Sequence, residues 1–139
     1  MKKKAYHICL SAGEEVYCRS EDDYAYCFNC LALAVAATES NLMAESIMST
    51  HFHECVRSSC PQDLFHIQRY AYSRYFNEKY LRKGRLGEKY PFIAEIDGLY
   101  HMLAALSYVL RNALHHGLAA TPLGYRHSSA RSFFRKDLG

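Results

Sequence analysis

Apolar and polar positions along this chain switch between strand and helix rhythms, and the order of the segments gives the architecture. "AYHICLSA" reads as a first strand, ended by Gly13. Ser20 can cap the free amides of a helix running to about Ala37, with Glu21, Asp22 and Asp23 at its positive end. "NLMAESIMS" and "HFHECVR" follow as two strands, joined so tightly near Ser49 and Thr50 that a hairpin is the short connection available. Ser59 as cap and Pro61 in the first turn open a second helix, which continues to about Tyr80 before a loop containing Gly84 and Gly87. "YPFIAEI" is a short strand, and Asp97 can cap a last helix that ends at Gly117. The order β-α-β-β-α-β-α predicts an α+β fold. Its first six elements form a ferredoxin-like split βαβ arrangement, an antiparallel sheet with helices across one face, and a C-terminal helix follows.

At about 100° per residue, Leu99, Leu103, Leu106, Leu110, Ala113 and Leu114 of the last helix cluster into one stripe, which is its expected core face. Tyr108 falls almost opposite that stripe, and Asn112 lies one turn further along the same side. In "STHFHECV", strand alternation sends His51 and His53 to one face, whether they are metal ligands or simply polar residues in water. Asn112 offers these imidazoles a third ligand. Two imidazoles and one amide oxygen would leave open positions on a divalent cation such as Mg or Mn, as a catalytic site requires. His101 and His115 lie on the same side of the helix.

With 139 residues the chain has the length of one domain that can bury a core without disulfides. No apolar stretch is long enough to span a membrane and no export signal is evident, so the protein is expected to stay inside the cell with its six cysteines reduced. Cys27 and Cys30 form a CxxC inside a helical run with no matching second pair, which reads as two small buried residues. The net charge of +3 is mild but unevenly spread. Between His66 and Tyr90, cations alternate with tyrosines, a mixture suited to phosphates and stacked bases. Arg69, Arg74, Lys79, Arg82, Lys83 and Arg85 are the candidates for a DNA-binding surface. Arg126, Arg131, Arg135 and Lys136 form a second cluster, so residues 1–120 are expected to make the domain and 121–139 a basic tail or the start of an extension.

"HFH", "YVLRNALHHGLA", "HIQRYAYSRYFNEKY", "GRLGEKYPFIAEID", "YHI" and "HSSARS" together resemble the single-tyrosine HUH transposases, which include the REP-associated tyrosine transposases. The likeness covers roughly Tyr6 to Phe134. It implies a metal-dependent enzyme of an insertion-sequence type, in which Tyr108 is the nucleophile and His51, His53 and Asn112 bind the metal. Its substrates would be single-stranded or hairpin DNA, cleaved and rejoined through a 5′-phosphotyrosine. The expected setting is the bacterial cytoplasm at the nucleoid, with no membrane partner and with a homodimer compatible. The chain departs from the family pattern at Ala113, where a proline is common, and at Thr50, where an asparagine is common. Rival readings are a domesticated or inactive nucleic-acid-binding derivative, a metal-dependent hydrolase using water as nucleophile, and a plain interaction module of the same fold.

Overall fold

The computed structural model describes residues 2–111 and residue 127. Within them the chain runs β1 (Lys4–Ser11), α1 (Glu21–Ala37), β2 (Asn41–Ile47), β3 (His51–Ser58), α2 (Pro61–Lys79), β4 (Phe92–Glu95) and α3 (Gly98–Leu110). The four strands form one antiparallel sheet in the order β2-β3-β1-β4. This is the expected α+β split βαβ arrangement. Among the described residues no helix is long and apolar enough to cross a membrane.

Local chemistry explains most boundaries. Ser20 Oγ accepts the Asp23 N–H at 3.3 Å, which caps α1 as its sequence implies. At the start of α2 the cap is Cys60, not Ser59, and it supplies no side-chain bond. Ser58 Oγ instead accepts the Cys60 N–H at 3.0 Å, and Pro61 needs no partner for a donor it lacks. Asp97 does occupy the cap of α3, but the side-chain bond runs the other way, from the Asp97 N–H to His101 Nδ1 at 3.0 Å.

The central pairing sets what each sheet face carries. Ile8, Leu10, Phe52 and Val56 point to one face, where Leu31 from α1 and Leu64, Phe65, Tyr72 and Phe76 from α2 bury them. The opposite face carries His7, Cys9, His51 and His53 and is partly covered by α3 through a smaller cluster of Ala5, Ala44, Cys55, Ala105, Val109 and Leu110. The core side of α3 therefore differs from the stripe expected for it. Leu99 and Leu103 are 69% and 55% exposed, whereas Ala105 and Val109 face the sheet. The wheel located the largest side chains, but the sheet beneath α3 at Ala5 and Ala44 is lined by small residues and accepts a close-packed Ala105 and Val109 instead. Ala113 and Leu114 lie outside the described residues, as does the rest of the helix expected to reach Gly117.

A buried carboxylate ties the two outer helices together. Asp23 accepts the Arg19 N–H at 2.8 Å, the Lys79 ammonium at 2.8 Å, and the hydroxyls of Tyr75 and Tyr80 at 2.7 and 2.6 Å. Burial alone would raise its pKa, but Lys79 and then Tyr80 and Tyr75 outweigh that and hold the carboxyl well below the usual range. A second pair behaves oppositely. Glu45 and Glu54 face each other across β2 and β3, and burial pushes each carboxyl up to about 8. The Gln68 amide donates to Glu54 Oε1 at 2.8 Å, which offsets only part of that rise.

All six cysteines are free thiols, and Cys27 and Cys30 are buried on α1 as the CxxC reading expected. Two stability predictions follow from the carboxylates. Asp23→Ala should cost about 2–4 kcal/mol in denaturant unfolding at pH 7. Because the Asp23 pKa is depressed, that contribution should be complete above its unfolded value near 3.8 and fade as pH falls below it. Glu54→Gln should raise Tm clearly at pH 8 and little at pH 5. A carboxyl whose folded pKa is raised loses its stabilising protonated form as pH climbs from the unfolded value of 4.5 through about 8. Equal Tm gains at both pH values would contradict this.

Candidate active site

Strand alternation and register bring together residues far apart in sequence. His51 and His53 share a face of β3, and Cys9 of β1 lies directly opposite His53. Two residues along β1 on the same face, His7 sets its Nε2 3.1 Å from His53 Nδ1. Next to His51, Thr50 Oγ1 stands 3.1 Å from Nδ1. Both rings thus engage Nδ1 with a neighbour. If Nδ1 carries the proton in each, Thr50 Oγ1 and His7 Nε2 are placed to accept it, and Nε2 becomes the lone-pair nitrogen of both rings. In that tautomer the two Nε2 lone pairs would be the ones available to a divalent cation.

The third ligand is a different matter. Among the described residues no group of three His, Cys, Asp or Glu side chains is arranged to hold a metal. Asn112, the expected amide ligand, lies outside the described residues, as do His115 and the tail cluster Arg126, Arg131, Arg135 and Lys136. Cys9 Sγ is 3.8 Å from His53 Nε2, and burial pushes its thiol up to about 11.

Tyr108 comes to this face from α3. Its ring is 45% exposed, with its centroid 5.1 Å from that of His53 in an edge-on arrangement and 5.9 Å from that of His7. The ring stands beside the imidazoles, on the flank of α3 next to the sheet-facing Ala105 and Val109. A cavity of about 440 Å³ lies among His7, Cys9, His53, Phe92, His101 and Tyr108. Burial, and then the nearby His101, lower the pKa of His7 and favour its neutral ring. Phe92 closes one side edge-on to His7 at 5.6 Å.

His7, Cys9 and Phe92 had no assigned role in the sequence reading. Alternation along β1 puts Ala5, His7, Cys9 and Ser11 on one face, which was a usable signal, but the register that sets Cys9 against His53 carries no local signature.

The basic residues separate into two kinds. Lys79 is committed to Asp23, and Arg82 to Glu15 at 2.7 Å and Asn77 at 2.6 Å. Arg69 donates to the carbonyls of Glu88 and Lys89 at 2.7 and 3.2 Å and so fastens the loop before β4. Arg74, Lys83 and Arg85 are exposed on α2 and that loop. On the far side, beside α1 and β2, a separate cavity of about 530 Å³ is acidic, with Glu21, Asp22 and Glu45 in its walls, and His127 stacks on Tyr24 there.

No protein-family model matches this chain, and no curated protein sequence does. Solved structures do share its fold. One is a REP-associated tyrosine transposase bound to a REP hairpin, similar over 95% of this chain and 79% of that one with a TM-score of 0.73 and 12% identity. Another is a presumed transposase from Deinococcus radiodurans R1, similar over 81% of this chain and 92% of that one with a TM-score of 0.56 and 15% identity. The fold expected from the sequence resemblance is therefore the fold of tyrosine transposases.

Proposed function

We propose that this chain is a transposase-type strand transferase acting on single-stranded or hairpin DNA. The observation that carries the reading is the half-exposed Tyr108 held edge-on to His53, in a fold shared with two transposase structures. Support for a DNA partner comes from the hairpin in one of those structures and from the exposed cations of α2 and its following loop.

In this reading the Tyr108 hydroxyl oxygen attacks a phosphodiester phosphorus. A tyrosyl O–P bond forms, the P–O3′ bond breaks, and the phenolic proton ends on the released 3′ oxygen. The 5′ phosphate remains on the protein, so bond energy is kept for rejoining when a 3′ hydroxyl attacks the phosphotyrosine in reverse. His51 and His53, with Asn112, would hold a Mg or Mn ion, which when bound supplies Lewis-acid polarisation of the phosphate oxygens. His7 positions His53. Accepting the Nδ1 proton across the 3.1 Å contact would fix the ring's tautomer and rotation, the task that outer partners perform for metal-binding histidines.

Two measurements test this. Hairpin DNA labelled at its 3′ end and incubated with Mn should give a protein-linked label on a denaturing gel, and Tyr108→Phe should abolish it. Cut DNA without an adduct would support water as the nucleophile, and binding without cutting would support an inactive derivative. His7→Phe should weaken Mn binding, read by water-proton relaxation, by about 10- to 100-fold, while His7→Asn, which retains an acceptor, should lose less. Unchanged affinity in both variants would remove His7 from this role.

A further inference from the structure

The outer side of α2 and the loop that precedes β4 enclose a trough that the strand-transfer chemistry does not use. Two cavities of about 560 and 340 Å³ share His66, Arg69 and Arg85 in their walls, so they lie side by side along one trough. Arg74 and Lys89 add two more cations, and among the described residues no acidic side chain lines either part. This is the reverse of the acidic cavity beside α1.

Rings accompany the charge. Tyr70 and Tyr90 are 67% and 76% exposed, and each holds a cation nearby, with Arg74 5.9 Å from the Tyr70 centroid and Lys89 5.3 Å from that of Tyr90. Large rings open to water beside cations suit unstacked bases and their phosphates, whereas a duplex keeps its base faces hidden.

The trough is also preformed. Arg69 takes the carbonyls of Glu88 and Lys89, Arg82 that of Arg85 at 3.2 Å, and Asn77 that of Gly84 at 2.9 Å. These bonds turn the loop's acceptors inward, away from an approaching phosphate. Gly87, at φ +86°, allows the loop to lie against β1, since a Cβ there would come within 3.0 Å of the Ser11 carbonyl.

Ile93 lines the larger cavity of the trough, and its neighbour Phe92 lines the cavity holding His7, His53 and Tyr108. Both belong to β4, the edge strand of the sheet. The two sites are thus separated by the width of one strand, with no further strand beyond it among the described residues.

We infer that this trough binds the single-stranded stretch of DNA next to the cleavage point and leads it around β4 to Tyr108. The inference rests on the strand-transferase reading for its destination, but its binding step is measurable without cleavage.

Fluorescence anisotropy should therefore use Tyr108→Phe protein in metal-free buffer with three probes: a short single strand, a hairpin with a single-stranded tail, and the same hairpin without one. Tyr90→Ala and Tyr70→Ala should each weaken the first two by about tenfold and leave the tailless hairpin unchanged. Lys89→Ala should reduce the slope of log affinity against log salt for the single strand by about 0.7. These side chains are exposed, and unchanged circular dichroism would confirm intact folding. If the three variants bind tailed DNA like the parent, or weaken all probes equally, the trough is not the single-strand site. Normal trough binding with no covalent adduct from unsubstituted protein would instead overturn the strand-transferase reading alone.

Discussion

The pairing of β1 with β3 is the constraint on which the rest of the molecule depends. Eight consecutive partners, from Lys4 with Ser58 to Ser11 with His51, fix one register at the centre of the sheet. That register sends Ile8, Leu10, Phe52 and Val56 into the core beneath α1 and α2, and His7, Cys9, His51 and His53 to the other side. A slip by one residue would exchange the two sets, placing imidazoles in an apolar interior and aromatic and aliphatic side chains in water. Burial of the core side therefore protects the geometry of the polar side, where Ala105 of the smaller cluster lines the cavity by Tyr108.

Elements with strong local signals were legible in the sequence, and those decided by partners were not. Ser20 followed by three acidic residues marks α1, and Pro61 marks α2, because caps and proline act through the nearest backbone. The orientation of α3 is different. Of the leucines at 99, 103, 106 and 110, the last two do pack with Ala105 and Val109, while Leu99 and Leu103 are left exposed because the sheet presents small residues that favour the close-packed Ala105 and Val109. Side-chain size along one helix cannot reveal the contour of the surface it meets. His51, His53 and Tyr108 could be paired across the chain from their spacing and the family resemblance, whereas His7 joined them only through strand register.

Charge divides along the same line. Arg69, Lys79 and Arg82 look in sequence like part of one solvated basic stretch with Arg74, Lys83 and Arg85. In the fold the first three are internal ties, to loop carbonyls, to Asp23 and to Glu15 with Asn77, while the others stay on the surface. A cation's task depends on whether an acceptor reaches it from a distant segment, and Asp23 lies 56 residues from Lys79. The tyrosines divide too: Tyr75 and Tyr80 serve Asp23, and Tyr70 and Tyr90 remain open to solvent.

Phe52 stands between the two histidines in sequence but belongs to the other world. It is 1% exposed, with Tyr17 and Phe65 around it, and contributes about 2–3 kcal/mol of transfer free energy to folding. His51 and His53 lie on the opposite face of the same strand, where His51 is part-exposed and His53 is buried beside Tyr108 and His7 rather than in that core. In a gene copy still selected to fold but released from selection for chemistry, both imidazoles could drift while the ring between them could not. The three-residue motif would then erode from its outer letters, and a lone phenylalanine on an intact hairpin would be the fossil it leaves.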